Sequence, residues 1–233
     1  MASYGMRTHH TVRFCDSRDM SVLDPGAIDL VVTSPPYPMI EMWDSCFAQM
    51  NPDTETALSK ADGRLAFALM HAELDRVWAE VARVLKEGGF ACVNIGDATR
   101  KVGGVFRLYN NHARISSKLF DLGLDPLPVI LWRKQTNAPN KFMGSGMLPS
   151  GAYVTLEHEY ILIFRKGGKR LFPGDEEKRN RRASAFFWEE RNIWFSDIWD
   201  FKGTRQAMSS SDLRARSGAF PYELSDRLIS MYS

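Results

Sequence analysis

The sequence predicts an α/β fold, a doubly wound sheet with helices on its faces, and three observations carry that prediction. Strand-length apolar runs alternate with segments of helical period. Two of the runs, Ala27–Thr33 (AIDLVVT) and Phe90–Ile95 (FACVNI), are almost continuously apolar, as strands covered on both faces are. Between them, Arg64–Lys86 places Leu74, Val77, Trp78, Val81 and Leu85 on one helical face.

Taken in order, a short strand is expected over Thr11–Cys15, ending at Asp16. Ala27–Thr33 follows, then the Arg64–Lys86 helix, stopped by Gly88-Gly89 where a left-handed cap suits glycine. The Phe90–Ile95 strand closes at Gly96-Asp97. A second helix over Leu108–Leu122 turns Ile115, Leu119 and Leu122 inward and stops at Gly123. Val129–Arg133 and Tyr160–Phe164 read as a late hairpin at the sheet edge, joined by a long Gly- and Pro-rich loop, Asn137–Gly151. Beyond Lys166 the chain is basic, then rich in tryptophan (Trp188, Trp194, Trp199), and a short helix is expected over Pro221–Met231.

Composition narrows the class. A chain of 233 residues, 44% hydrophobic and 25% charged, has the size and balance of a globular protein with one substantial core. No apolar run approaches the ~18 residues of a membrane span, and the N-terminus lacks the apolar stretch of a secretory signal. A cytoplasmic location without membrane contact is therefore expected. Cys15, Cys46 and Cys92 are odd in number and irregularly spaced, which argues against a disulfide framework and a metal site. The net charge of +2 is unevenly spread. Arg165, Lys166, Lys169, Arg170, Lys178, Arg179, Arg181 and Arg182 face only Asp175, Glu176 and Glu177, so this stretch carries +5 and the remainder −3. A solvated loop has such a composition, and so does a surface that binds a polyanion through counterion release.

Thr33-Ser34-Pro35-Pro36-Tyr37 stands directly after the AIDLVVT run. Open α/β sheets bind ligands at the carboxyl ends of their strands. Pro35 and Pro36 keep the chain extended and offer carbonyls without N–H donors. Those are the parts needed to methylate an aromatic amine, whose lone pair is delocalised into its ring. The Ser34 hydroxyl and the Pro35 carbonyl would accept both N–H hydrogens and bias the nitrogen towards tetrahedral geometry. Position and electrostatics supply most of such a rate gain. Tyr37 would stack on a base flipped out of the duplex. An isolated Pro-Pro-Tyr is more often a strand exit with a packed tyrosine; the preceding Thr-Ser and buried strand favour the chemical reading.

With those residues in place, the chain resembles the amino-methyltransferases of bacterial and archaeal restriction–modification systems, which act on cytosine N4 or adenine N6 of DNA. The resemblance covers most of the length. It runs through Asp16, AIDLVVTSPPY, VARVLKEGGFACVNIGDA, LEHEYILIFRKG and AFPYELSDRLISMYS. It implies a Rossmann-like, S-adenosylmethionine-dependent methyltransferase fold acting on double-stranded DNA. It also implies a catalytic Ser34, Pro35, Pro36 and Tyr37, with Asp16 on the adenine amino group of the cofactor. Thr33 and Ser34 would lie against the cofactor, and Phe220 and Pro221 would line its methionine end. Serine at the first position of the motif leans towards cytosine N4 over adenine N6.

In that family a further strand and a glycine-rich turn follow the segment ending in MYS and cradle the cofactor. The expectation is therefore a partial sheet whose remaining part lies in a further C-terminal segment or a second chain. Phe142-Met143-Gly144-Ser145-Gly146 is no substitute, because neither an apolar strand nor a periodic helix flanks it. Three regions are expected. Residues 1–166 form the catalytic core, including the hairpin 128–166; residues 167–218 form a basic, Trp-rich segment for DNA contact and target recognition; residues 219–233 flank the cofactor. The alternatives are an adenine-N6 enzyme, a methyltransferase acting on RNA or protein, and a non-catalytic DNA-binding partner of a split methyltransferase.

Overall fold

The structure is a computed structural model that describes residues 8–134, 143–203 and 218–233. Its first strand is β1 (Ile28–Thr33), followed by a 3-10 turn and two short helices, α1 (Asp44–Met50) and α2 (Asp53–Ser59). The long helix α3 (Gly63–Val84) passes directly into β2 (Leu85–Ile95). Next come a hairpin, β3 (Ala98–Val102) and β4 (Val105–Tyr109), and the helix α4 (Asn111–Asp121). The strands β5 (Leu124–Pro126) and β6 (Ile130–Arg133) precede a two-residue pair, β7 (Met143–Gly144) and β8 (Ala152–Tyr153). The chain then forms β9 (His158–Lys166), α5 (Asp175–Ala183), α6 (Trp188–Trp194), β10 (Ile198–Asp200) and α7 (Tyr222–Tyr232).

One mixed sheet organises these elements in the order β1-β2-β9-β6-β10, with β5 also on β9. β1 runs parallel to β2, whereas β9 is antiparallel to both β2 and β6, as expected for a late hairpin. Period-two alternation assigns the two faces of β9. Leu162 and Phe164 join the core beneath α3 and α4, with Met70, Leu74, Trp78, Ile115 and Leu119. Ile161 and Ile163 join a second core with Cys92, Trp132, Trp199 and, from α7, Leu224 and Leu228. Among the described residues β1 is an outermost strand, half-buried along its whole length with one edge unpaired.

Four expectations need correction. Thr11–Cys15 is exposed and belongs to no strand, because among the described residues no partner strand lies beside it. Gly88-Gly89 does not cap α3, since Leu85 is already extended at φ −66 and ψ 137. Gly88 takes φ +75 inside β2 instead, where a Cβ would lie 2.6 Å from the Arg170 backbone. Leu108 belongs to β4, and α4 begins only at Asn111. Finally, the late hairpin does not lie at the sheet edge, because β9 is flanked by β2 and β6, and β10, with its buried Trp199, pairs along the outer side of β6. The segment from 135 to 142, including part of the long loop and Phe142, lies outside the described residues. The rest of that loop forms the small β7–β8 hairpin.

Candidate active site at the carboxyl end of the sheet

Thr33, the last residue of β1, pairs with Val93 of β2, so the Ser34–Tyr37 loop leaves the sheet at its carboxyl end beside Asn94. Pro35 is buried, while Ser34, Pro36 and Tyr37 are half-buried. The loop is pinned from beneath by Asn111 at the start of α4. Its Nδ2 donates to the carbonyls of Pro38 (3.1 Å) and Gly96 (3.0 Å), tying together the chain leaving β1 and the chain leaving β2. Its Oδ1 lies 3.0 Å from Nε2 of the buried His71 of α3. Because Asn111 is the acceptor there, the imidazole must carry its proton on Nε2. Burial lowers the His71 pKa to about 4, so the ring is neutral at physiological pH.

Tyr37 sits at the centre of a second network. Its hydroxyl donates to Glu159 Oε2 at 2.9 Å and accepts from Asn94 Nδ2 at 2.8 Å and from Ser34 Oγ at 3.1 Å. Asn94 Nδ2 also donates to Glu159 Oε2 at 2.7 Å, and Lys134 Nζ pairs with Glu159 Oε1. Glu159 and Asn94 are both buried. Burial first, and then the Glu159 charge, raise the Tyr37 pKa far above its ordinary value, so the group remains a phenol. Gly96 lets the ring in: a Cβ there would lie 3.1 Å from Tyr37 Cε2 and 3.3 Å from Glu159 Cγ.

Nearby, at the same end of the sheet, Asp97 Oδ2 lies 2.7 Å from His112 Nδ1. The His112 ring stacks on Tyr160 at 3.9 Å between centroids and 16° between planes. Asn94, Asp97, His112, Lys134, Glu159 and Tyr160 were not singled out from sequence. The available signal was polar side chains at the ends of apolar strands, in Asn94-Ile95-Gly96-Asp97 and His158-Glu159-Tyr160.

Among the described residues, Asp16, Phe220 and Pro221 share no hydrogen bond with Tyr37, whose hydroxyl partners are Ser34, Asn94 and Glu159. Asp16 stands on an exposed turn before β1, its carboxylate wrapped by Arg18 through Nε and Nη2 and by the Arg18 backbone N–H. Those bonds lower its pKa to about 2. Phe220 is half-buried against the second core, and Pro221 precedes the first turn of α7. The basic run begins at the opposite end of the sheet, since Arg165 pairs with Phe90 whereas Tyr160 pairs with Ile95. Phe90 and Ile95 are roughly 17 Å apart at ~3.3 Å per residue. Part of the run is structural: Lys166 Nζ donates to the carbonyls of Ala82 and Leu85 at the end of α3, and Arg170 Nη2 to that of Asp29. Lys178, Arg179, Arg181 and Arg182 are exposed on α5, whose acidic first turn and basic last turn match the helix dipole. Among the described residues no cluster of His, Cys, Asp and Glu is placed to hold a metal ion. No helix among them is long and apolar enough to cross a membrane.

A family profile described as DNA methylase matches residues 28–233. The chain belongs to the DNA methylase family. Type II methyltransferase M.MthZI of Methanothermobacter thermautotrophicus is 56% identical to this chain over 230 residues, covering 98% of it and 65% of the relative. The chain thus spans just under two thirds of that relative's length. Type II methyltransferase M.MjaI of Methanocaldococcus jannaschii is 46% identical over 244 residues, covering all of this chain and 79% of the relative. Among solved structures, a protein of Thermus thermophilus named as a DNA modification methylase and complexed with S-adenosyl-L-methionine superposes with a TM-score of 0.63. It is 31% identical, over 94% of this chain and 73% of that one. The PvuII DNA methyltransferase, cytosine-N4-specific, shares the fold at a TM-score of 0.51 and 16% identity, over 94% of this chain and 68% of that one.

Proposed function

We propose that this methylase transfers a methyl group from S-adenosylmethionine to an exocyclic amine of a flipped base in double-stranded DNA, cytosine N4 by preference. The observation that carries the reading is the Ser34–Tyr37 loop at the carboxyl end of β1, half-buried and held by the Tyr37–Asn94–Glu159 network. Ser34 Oγ and the Pro35 carbonyl accept the two N–H hydrogens of the amine. Tyr37 offers its ring to the base while its hydroxyl is fixed beneath. The geometry is set before the base arrives, so little reorganisation is left for the transition state.

The site's chemistry fits the cofactor, which when bound supplies an electrophilic methyl group. Asn94 Oδ1 is a buried acceptor without a partner among the described residues, of the kind that an ammonium or amine N–H satisfies. Phe220 and Pro221 would line the methionine end. Asp16 would bind the adenine amino group by exchanging part of its Arg18 contact. The open edge of β1 is where a strand from a C-terminal segment or a second chain would pair to complete the cofactor cradle. For DNA, the exposed arginines of α5 would contact phosphates flanking the target.

The test is mass spectrometry of nucleosides from DNA incubated with the full-length protein and labelled S-adenosylmethionine. N4-methylcytosine is expected. N6-methyladenine would reassign the target base, and the absence of any labelled nucleoside would refute the reading.

A further inference from the structure

We propose that Glu159 fixes the direction of hydrogen bonding through Tyr37, so that Ser34 meets the target amine as an acceptor. The inference rests on the role given to Ser34 above. Glu159 acts through Tyr37 and Ser34, which makes it a positioning residue.

The direction follows from counting protons. A phenol oxygen has one hydrogen and two lone pairs. Tyr37 Oη has three partners: Glu159 Oε2, Asn94 Nδ2 and Ser34 Oγ, at 2.9, 2.8 and 3.1 Å. A carboxylate only accepts and an amide nitrogen only donates. The Tyr37 proton therefore lies on Glu159, and one lone pair is taken by Asn94. Ser34 is left facing a lone pair and must donate its single proton inward. Both lone pairs of the Ser34 oxygen then stay free, so that it can accept the N–H hydrogen that the Pro35 carbonyl does not take.

Without an acceptor at position 159, Tyr37 would be free to turn its proton towards Ser34. The Ser34 proton would then point outward, against the hydrogens it should receive. The carboxylate itself is pinned on both oxygens. Lys134 Nζ holds Oε1, and Asn94 Nδ2 donates to Oε2 at 2.7 Å while also donating to Tyr37. Burial of Glu159 and Asn94 makes any reversed arrangement leave a polar group unmatched in a low-dielectric setting. The raised pKa of Tyr37 is consistent with a proton that stays on the phenol.

The experiment is a single-turnover methyl-transfer assay on the full-length protein with saturating S-adenosylmethionine, alongside DNA affinity and a thermal melt. Glu159→Leu and Tyr37→Phe should each slow methyl transfer on the order of tenfold, the range of one charge-assisted hydrogen bond. DNA affinity should stay within about twofold, because the ring of Tyr37 is retained or untouched. Glu159→Gln, whose amide oxygen still accepts from Tyr37, should recover part of the rate. In a Ser34→Ala background neither Glu159→Leu nor Tyr37→Phe should slow the reaction further, since the effect passes through Ser34. An additive loss in those double variants, or a wild-type rate in folded Glu159→Leu, would overturn the positioning role. Should Glu159→Leu not fold, the Tyr37→Phe and Ser34→Ala pair decides by the same criterion. A Ser34→Ala enzyme with full turnover would instead reject the role of Ser34 itself.

Discussion

Acidification from pH 7.5 to 5 should weaken this protein through His71, by an amount the structure sets. The folded-state pKa is lowered from 6.5 to about 4, chiefly by burial. Between those values the unfolded chain holds more protons than the folded one, so stability rises with pH across the window. It is fully present above 6.5 and is lost as pH falls towards 4. At 1.36 kcal/mol per unit the full loss is about 3 kcal/mol, of which roughly 2 kcal/mol falls between pH 7.5 and 5. The lowered carboxyls of Asp16 and Glu80 exert their effect in more acidic solution, below their unfolded values of 3.8 and 4.5. Urea midpoints at the two pH values measure the difference. His71→Gln keeps an N–H donor for Asn111 Oδ1 but does not titrate, so its midpoint should move far less over the same range. A wild-type midpoint independent of pH, or an equal shift in His71→Gln, would refute the assignment. Because Asn111 carries the carbonyls of Pro38 and Gly96, acid should loosen the catalytic loop along with the fold.

Other perturbations probe separate parts of the site. Tyr37→Ala removes the ring as well as the hydroxyl and should weaken binding of the flipped base by about 1–3 kcal/mol, measured as affinity for substrate DNA; unchanged affinity would remove the stacking role. Gly96→Ala places a methyl 3.1 Å from Tyr37 Cε2 and should slow turnover several-fold, roughly in proportion to a few tenths of an ångström of ring displacement, with little change in melting temperature; normal turnover would mean the ring yields without consequence. Reversing Arg179, Arg181 and Arg182 to glutamate should weaken DNA binding alike for all sequences and flatten the salt slope by about 0.9 per lost phosphate contact. An unchanged slope would assign α5 to the solvated surface.

The parts of the fold that sequence exposes are those whose signal is local. β1, β2 and α3 were legible because each needs only its own apolar pattern, and Gly123 at φ +82 stops α4 as expected. Leu108 misled for a physical reason. It continues the helical spacing of Ile115, Leu119 and Leu122, yet it lies on a hairpin and is largely exposed. The opposing signal was Gly103-Gly104, with φ of +57 and +81, the left-handed pair that a two-residue hairpin turn requires. Gly88 misled in the other direction. Its left-handed conformation is real but serves a close approach to the Arg170 backbone, which sequence spacing does not reveal.

The same distinction divides the candidate site. Thr33–Tyr37 is contiguous and follows a buried strand, so its chemistry was readable at once. Glu159 is 122 positions from Tyr37 and 65 from Asn94, and it reaches them only through strand register. In that register Glu159 faces Trp132 and Asn94 faces Ile161. Cys92, Ile161 and Ile163 share the apolar face on which Asn94 and Glu159 also lie. Two polar side chains interrupting one alternating apolar face are costly to bury unless they satisfy each other. Starting the late strand at Tyr160 left Glu159 just outside it and hid the interruption, whereas a strand from His158 brings it into phase. A polar residue in phase with a buried face is therefore the readable trace of a partner elsewhere, and here the partners are the loop that binds the amine and the strand beside it.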